Sequence, residues 1–520
     1  MEKGDYGGGG RASAEIKSVL SRVGVSSEII KRAVIAVFEA EMNIIIHSYG
    51  GQIIYRVDED TLEVEAIDTG PGIPNIVLAM KEGYSTAPPE ARELGYGAGM
   101  GLPNIKKNTD FFYITASPKG TTLKFHIRLT PQENFEEIPV KVIPESKKCK
   151  HCLDCIKECP TKAIRLRGDE VKILYHRCVN CNRCVEICPT GVFDFLLEVI
   201  QPHRDGFLDS LSTVIIPSPV ASKLYIEGKW FPWRDFMKEE YGVEVVTLIP
   251  WDRALEQTVD EYLSNSDLKN LPVISPVCPS VIQWIQTEYP SLIGYVAPYL
   301  FSFIASIDYY VRKGKVLYVP ICPSQIATLE LLYKNSNSIK LLHPRALFDF
   351  IRESRFESTR GDKCISALES QANYKYAISG VVPVKKFMDK LEKGRVGKEL
   401  KIVELYACYG GCYGFPFTDL EPHYLSWLMR SSDLFDSTRE EVKTLFMASS
   451  FKPRKGIRLG FSIRESLEKL ALIEDMSKSL PGRDCGVCGA PRCLDFAEEM
   501  AIYNASIDKC PYIPKKEKES

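Results

Sequence analysis

Two short stretches constrain this chain more than any other feature. Residues 149–160 read CKHCLDCIKECP and residues 178–189 read CVNCNRCVEICP. Both follow C-x2-C-x2-C-x3-C-P, a spacing that draws four thiols together around a bound group. Thiolates are soft, anionic ligands suited to iron–sulfur iron and to zinc. The tight x2 spacing also wraps backbone amides around the sulfurs, which stabilises a negatively charged cluster. Zinc knuckles do not repeat four cysteines with a trailing proline, so the pattern points to iron–sulfur clusters. The chain has 17 cysteines, and in a reducing compartment that number means metal or redox chemistry rather than disulfides.

The pair of runs resembles the bacterial two-cluster ferredoxins, in which the fourth cysteine of each run ligates the other cluster. The resemblance implies one [4Fe-4S] cluster on Cys149, Cys152, Cys155 and Cys188, and a second on Cys178, Cys181, Cys184 and Cys159. A ferredoxin-like domain is expected over residues 140–200. Residues 485–510 read CGVCGAPRCLDFAEEMAIYNASIDKC, spaced C-x2-C-x4-C-x16-C, with a helix predicted over LDFAEEMAIYNA. This resembles a small [4Fe-4S] module found at the ends of electron-transfer proteins, with zinc as the alternative. It implies Cys485, Cys488, Cys493 and Cys510 as ligands, in a domain over 465–515.

The N-terminal segment has a different character. In IAVFEAEMNIIIH, residues 35–47, apolar residues recur at helical spacing, and Glu39 and Asn43 fall on one face. Two predicted strands follow, GQIIYRVDED and LEVEAIDTGPGIP, and then the glycine-rich GYGAGMGLPNIKK, 95–107. This order resembles the GHKL ATPases, and most closely their anti-sigma-factor-like serine kinase branch, over residues 10–130. The resemblance implies ATP or ADP with Mg2+. Asn43 would hold Mg2+ against the phosphates, and Glu39 would orient a water or polarise an acceptor hydroxyl. Asp68 would accept from the adenine amino group, with Gly70 and Gly72 letting the backbone pass the base. Gly95, Gly97, Gly99 and Gly101 would form a mobile lid whose amides meet phosphate. A GxGxxG reading alone would suggest a Rossmann site, but no strand immediately precedes the run and DTGPG would go unexplained. His47 is expected to be a surface or packing residue, and no histidine precedes it to act as a phosphoacceptor.

From 205 to 460 apolar strands alternate with helices, an α/β pattern with sites at the carboxyl ends of the strands. TVIIPSPVA, EVVTLIP, LPVISPVCP, KVLYVPICP and KIVELYACYGGC are the predicted strands and loops. The three cysteine loops SPVCP, PICPSQIATLE and ELYACYGGC resemble, in order and approximate spacing, those of the [FeFe] hydrogenase catalytic domain. That implies a cubane on Cys278, Cys322, Cys408 and Cys412. The diiron side departs from the family. Val277 stands where a proton-relaying cysteine is expected, Gln325 where a lysine is, Tyr406 where a methionine is, and Val281 where a tryptophan is. YGFPF replaces a run of small glycines after Cys412. A valine cannot carry a proton, and the other changes remove groups that hold the diiron unit. The expectation is a cubane without a diiron partner. Cys364, the one cysteine left over, reads as a plain thiol.

The fold class expected is therefore a multidomain mixture of α/β and α+β: a GHKL α/β sandwich, a ferredoxin-like domain, a hydrogenase-like α/β domain and a small cluster domain. Net charge is only −2, which gives no general attraction to nucleic acid or membranes. No apolar run approaches the ~18 residues of a membrane span, and MEKGDYGGGGRAS lacks a signal peptide's apolar core, so a cytoplasmic location is expected. Four [4Fe-4S] clusters describe an electron-transfer subunit of an anaerobic hydrogenase or NADH-linked complex. Its partners would be a catalytic hydrogenase, a flavin-bearing NADH-dehydrogenase-like subunit, or ferredoxin. Two alternatives stand beside it: a redox- or H2-sensing regulator with ATP-dependent serine kinase activity, and an active [FeFe] hydrogenase.

Overall fold

The computed structural model describes residues 1–94, 96–129, 139–195, 208, 210–265, 270–333, 336–354, 375–397, 399–414, 451, 459, 462–503 and 505–513. Gly95, Cys364 and the residues of YGFPF from 415 onward lie outside them.

At the N-terminus, helices α1 (Arg11–Val23) and α2 (Ser27–His47) precede an antiparallel sheet. Its strands are β1 (Gly50–Val57), β2 (Thr61–Thr69), β3 (Phe111–Ser117) and β4 (Gly120–Arg128), in the order β1-β2-β4-β3. Short helices α3 (Ile76–Ala79), α4 (Pro89–Glu93) and α5 (Gly101–Lys107) fill the connection from β2 to β3. Along β2 the side chains alternate, with Leu62, Val64 and Ala66 buried while Glu63 and Ile67 point away, the two-residue period of a half-buried strand. That apolar face meets Val34, Val37 and Ile44 of α2 in one core.

The next unit is built around the cysteine runs. Strand β5 (Val142–Pro144) pairs with β8 (Phe193–Phe195), and β6 (Ile164–Arg167) pairs with β7 (Glu170–Ile173). Single-turn helices α6 (Asp154–Glu158) and α7 (Arg183–Ile187) carry the third cysteine of each run. The two halves of the unit repeat in backbone as in sequence. Leu153 and Asn182, each just before its helix, both take left-handed conformations, at φ 66° and 65°.

The middle region forms two parallel sheets. The first, β10-β9-β12-β13, uses β9 (Leu211–Ile216), β10 (Glu244–Thr247), β12 (Lys315–Tyr318) and β13 (Ile339–Leu341). The second, β11-β15-β14, uses β11 (Val273–Ser275), β14 (Lys375–Ser379) and β15 (Ile402–Tyr406). The intervening helices are α8 (Ser218–Ile226), α9 (Trp230–Tyr241), α10 (Ile249–Asn265), α11 (Pro279–Glu288), α12 (Ser302–Val311), α13 (Pro323–Tyr333), α14 (Pro344–Glu353) and α15 (Val381–Glu392). All five strands expected from the sequence are present, and β13 and β14 add an edge to each sheet. β11, β12 and β15 each lead into a cysteine loop, as parallel sheets place sites at strand carboxyl ends.

The chain closes with α16 (Ile463–Lys478) and α17 (Cys493–Tyr503). Leu470, Ile473, Phe496 and Met500 enter the same hydrophobic core as Ile16 and Leu20 of α1, so the last helices pack against the first domain. Among the described residues no helix is long and apolar enough to cross a membrane.

Candidate nucleotide pocket and cysteine sites

A cavity of about 940 Å3 opens between α2 and the segment from β2 to α5. Glu39, Asn43, Asp68, Gly72, Gly97, Gly99 and Gly101 all line it. The helical period brings Glu39 and Asn43 to one wall. Glu39 Oε1 accepts from Asn104 Nδ2 at 2.7 Å. Burial pushes the Glu39 carboxyl above its ordinary pKa, opposed by that hydrogen bond and by the Arg395 guanidinium. Asn43 Nδ2 is buried with no hydrogen-bond partner among the described residues, a donor left to be satisfied. Asp68 Oδ1 accepts from the Thr121 amide at 3.1 Å, and burial raises its carboxyl pKa against the Thr121 hydrogen bonds. Gly72, at φ 68°, admits no side chain, because a Cβ would lie 2.1 Å from the Ser117 carbonyl oxygen. Gly70 sits just behind the wall, against Ser48 and Asp68. His47 is exposed, as a surface residue would be, and reaches Thr86 at 3.5 Å.

Sequence reasoning missed Asn104, Thr121, Lys393 and Arg395 on this pocket. Asn104 lies three residues after Gly101, so the start of α5 held a readable signal. Lys393 and Arg395 come from the middle region, where local sequence carries no trace of the contact.

Three of the four cysteine sets each line a small cavity. Cys149, Cys152, Cys155 and Cys188 line one, and Cys159, Cys178, Cys181 and Cys184 another. Cys485, Cys488, Cys493 and Cys510 line a third. Among the described residues no three His, Cys, Asp or Glu groups close on a single metal ion. The donors suit a larger anionic cluster. Backbone amides of Ala163 and Val192 donate to Cys159 and Cys188 sulfurs at 3.2 and 3.3 Å, and His151 N donates to Cys149 Sγ at 3.4 Å. Burial, then repulsion from Cys152, Cys188 and Cys149, pushes the Cys155 thiol up to about 12. Such crowding of buried sulfurs is relieved when cationic iron takes the place of the protons.

In the middle region Cys278, Cys322, Cys408 and Cys412 lie close enough to act on one another's charge. Cys408 and Cys412 each feel the charges of Cys278 and Cys322. Burial raises all four thiols, that of Cys322 to about 11. The departures from the hydrogenase pattern have local roles. Gln325 Oε1 accepts from the Ile321 amide at 2.9 Å, closing the turn that carries Cys322. The Tyr406 ring packs on Gly411, between Cys408 and Cys412, and its hydroxyl donates to buried Glu404 at 3.1 Å. Val277 packs into the apolar core beside buried Val281.

The sites adjoin one another. Cys408 Sγ lies 4.0 Å from the Cys181 carbonyl oxygen. Leu153, between Cys152 and Cys155, comes within 3.7 Å of a Cβ built on Gly486, next to Cys485. Leu166 N donates to Gly489 O at 2.9 Å and Arg167 Nη1 to Cys488 O at 3.1 Å. Beneath them Arg177 reaches Glu498 at 2.7 Å and Asp495 at 3.2 Å, while Arg165 and Arg167 pair with Glu499.

Family models match three parts of the chain. The histidine kinase-like ATPase domain family matches residues 10–127, the 4Fe-4S dicluster domain family 148–192, and an Fe-S cluster family 480–512. The corrinoid/iron-sulfur protein large subunit of Moorella thermoacetica is 49% identical over 39 residues, covering 8% of this chain and 9% of that protein. A component of the ion-translocating oxidoreductase complex of Rhodobacter capsulatus is 41% identical over 56 residues, covering 11% and 30%. The chain thus spans less than a third of these two relatives. Among solved structures, an [FeFe]-hydrogenase aligns at 11% identity and TM-score 0.36, covering 49% of this chain and 97% of that one. One from Chlamydomonas reinhardtii aligns at 12% and 0.33, covering 52% and 90%. The serine/threonine-protein kinase RsbT of Bacillus subtilis is 30% identical over 113 residues, which are 21% of this chain and 79% of that kinase. Through its N-terminal domain, the chain belongs to the histidine kinase-like ATPase family that it shares with RsbT.

Proposed function

We propose that this protein is an electron-transfer subunit whose four cysteine sets hold [4Fe-4S] clusters in a line, with a nucleotide switch at its N-terminus. The observation that carries the reading is the adjacency of the sets. The C-terminal cysteine segment is hydrogen-bonded to the ferredoxin-like unit through Gly489 and Cys488, and Cys408 of the middle set approaches the Cys181 carbonyl of the second. Bound clusters supply one-electron redox chemistry. The chain's part is to fix their order, exclude water with Cys278, Cys159 and Cys510 buried, and donate N–H groups to the sulfurs. The middle set would hold a cubane alone, since Val277 cannot relay a proton and Gln325 replaces the lysine expected beside a diiron unit. A catalytic hydrogenase or a flavin-bearing NADH-oxidising subunit would complete the pathway.

The N-terminal pocket favours a second role within the same chain. RsbT is named a serine/threonine-protein kinase, and here Glu39 and unpartnered Asn43 Nδ2 face the cavity together. ATP binding with Mg2+, and phosphate transfer to a hydroxyl of a partner protein, fit that arrangement. The chain would then report its redox state as well as conduct.

Anaerobic reconstitution followed by iron, sulfide and infrared measurement tests the first reading. About sixteen iron atoms per chain, with no carbon monoxide or cyanide bands, are expected. Those bands would restore the active hydrogenase, and iron short by one cluster in the Cys412→Ser protein locates the middle cubane. For the second reading, ATP turnover that changes between oxidised and reduced protein is expected. Turnover indifferent to redox state leaves the chain a plain carrier.

A further inference from the structure

The nucleotide pocket has a wall that does not belong to the ATPase domain. Lys393 and Arg395 follow α15 of the middle region and line the same cavity as Glu39. The Arg395 guanidinium lies 4.0 Å from the Phe38 ring centre and 4.7 Å from that of Tyr96. Its Nη2 is 3.5 Å from Met42 Sδ, its side chain also hydrogen-bonds Tyr96, and its Nε is buried with no hydrogen-bond partner among the described residues. The Lys393 ammonium stands 6.0 Å from the Phe38 centre.

These two cations are crowded and incompletely neutralised. Burial lowers the pKa of both, and the Arg395 charge lowers that of Lys393 further. The nearby carboxylates have other work. Glu41 accepts the Ala12 and Ser13 amides, and Glu39 accepts from Asn104. Glu392 pairs with Lys17 and accepts from Ser291, and Asp389 accepts from Tyr289. A partly buried fork of N–H donors with spare capacity is the group that best matches a phosphate. Arg395 lies close enough to Glu39 to lower its carboxyl pKa, which puts the cations near the wall that carries Glu39 and Asn43.

We propose that Lys393 and Arg395 complete the pocket as the receptor for the terminal phosphate of a nucleoside triphosphate. The proposal rests on the reading of the cavity as a nucleotide site, and it adds that the middle region distinguishes triphosphate from diphosphate. The ATPase domain would grip the base and inner phosphates. Contact with the last phosphate would then tie it to α15.

The test is equilibrium binding of MgATP and MgADP to the full-length, cluster-loaded protein and to Arg395→Ala, Lys393→Ala, Arg395→Lys and Asn43→Ala. Arg395→Ala is expected to weaken ATP by about 10- to 100-fold, the range for hydrogen bonds to charged groups, with ADP changed by less than about threefold. Arg395→Lys should recover part of the loss. Asn43→Ala should weaken both nucleotides. ATP, but not ADP, should also slow hydrogen exchange in residues 381–395. An unchanged ATP-to-ADP preference in Arg395→Ala, or an equal loss of both nucleotides, overturns the proposal while leaving the pocket reading intact. Failure of the parent protein to bind either nucleotide overturns both.

Discussion

Arg167 donates from Nη1 to the carbonyl oxygen of Cys488 at 3.1 Å, across 321 residues of sequence. One residue on, Gly489 presses against the same hairpin. It sits at φ 83°, and a Cβ there would lie 1.7 Å from the Leu166 carbonyl oxygen. Gly489→Ala should therefore undock the C-terminal cysteine module. The left-handed backbone alone costs about 1–2 kcal/mol for a residue with a side chain, and the clash adds to it. Limited proteolysis should release a C-terminal fragment from the variant and leave the parent whole. Equal resistance in the two proteins would contradict this docking.

Under that contact lies a buried ionic network. Arg177 is 6% exposed at its side chain and serves Glu498 and Asp495, which are 10% and 1% exposed. Asp495 keeps Arg492 and Glu498 keeps Arg22, so loss of Arg177 should cost less than the about 3–5 kcal/mol of a fully stranded buried pair. Arg177→Met should lower the denaturation midpoint accordingly in chemical unfolding of the cluster-loaded protein. A change below about 1 kcal/mol would mean that water reaches the carboxylates.

Gln325 offers a test of why the middle site departs from the hydrogenase pattern. Its side-chain oxygen is the acceptor for the Ile321 amide, and a lysine has no acceptor to offer. Gln325→Lys should destabilise the protein by about 1–3 kcal/mol, the cost of leaving a buried donor unmet. Gln325→Glu keeps an acceptor and should lose less of the hydrogen bond. Thermal unfolding of the three proteins, reconstituted alike, orders them.

Glu39 gives the pH dependence of the nucleotide site. Burial holds its folded pKa above the ordinary value of 4.5. The folded protein therefore binds the proton more readily than the unfolded chain. Stability from this group is present in acid and is lost as pH rises through the folded pKa. Glu39→Gln should be more stable than the parent at neutral pH, with the gap closing below 4.5. The same substitution should slow any phosphate transfer by about 10²–10⁴-fold. In the parent, transfer should rise with pH as the carboxylate forms. A flat pH profile would remove Glu39 as the base.

Local chemistry made most of the sites legible in sequence. Cysteine spacing grouped the C-terminal set and the first three cysteines of each run, because short loops impose their own geometry, while the exchange of Cys159 and Cys188 between the runs came from the ferredoxin resemblance; each set lines a single cavity. Glu39 and Asn43 were readable because a helix repeats every 3.6 residues. Contacts between distant segments were not readable. Thr121 reaches Asp68 only through strand register, and Arg395 reaches Phe38 only through domain packing. The α/β pattern of the middle region marked its strands but not their division into two sheets. That choice depends on which apolar faces find each other, and five buried strands of similar composition do not specify it. The acidic face of α17 has the composition of a solvated helix surface, yet Asp495, Glu498 and Glu499 are buried against arginines of the ferredoxin-like unit.

Helix α15 runs from the Cys408 loop to the candidate nucleotide pocket. It has 12 residues and is about 18 Å long at the usual rise. At its start, Gly380 N donates to Tyr406 O at 3.0 Å, and Ser379 Oγ accepts from Gly410 N at 3.4 Å, beside Cys408. At its far end, Glu392 pairs with Lys17 at 2.5 Å, and Arg395 enters the pocket. One rigid rod thus has a cysteine loop at one tip and a phosphate-sized charge at the other. Any free energy that a nucleotide spends on moving this rod must return in equal measure when the sulfur site changes charge. Midpoint potential and nucleotide affinity would then be two readings of a single mechanical coordinate.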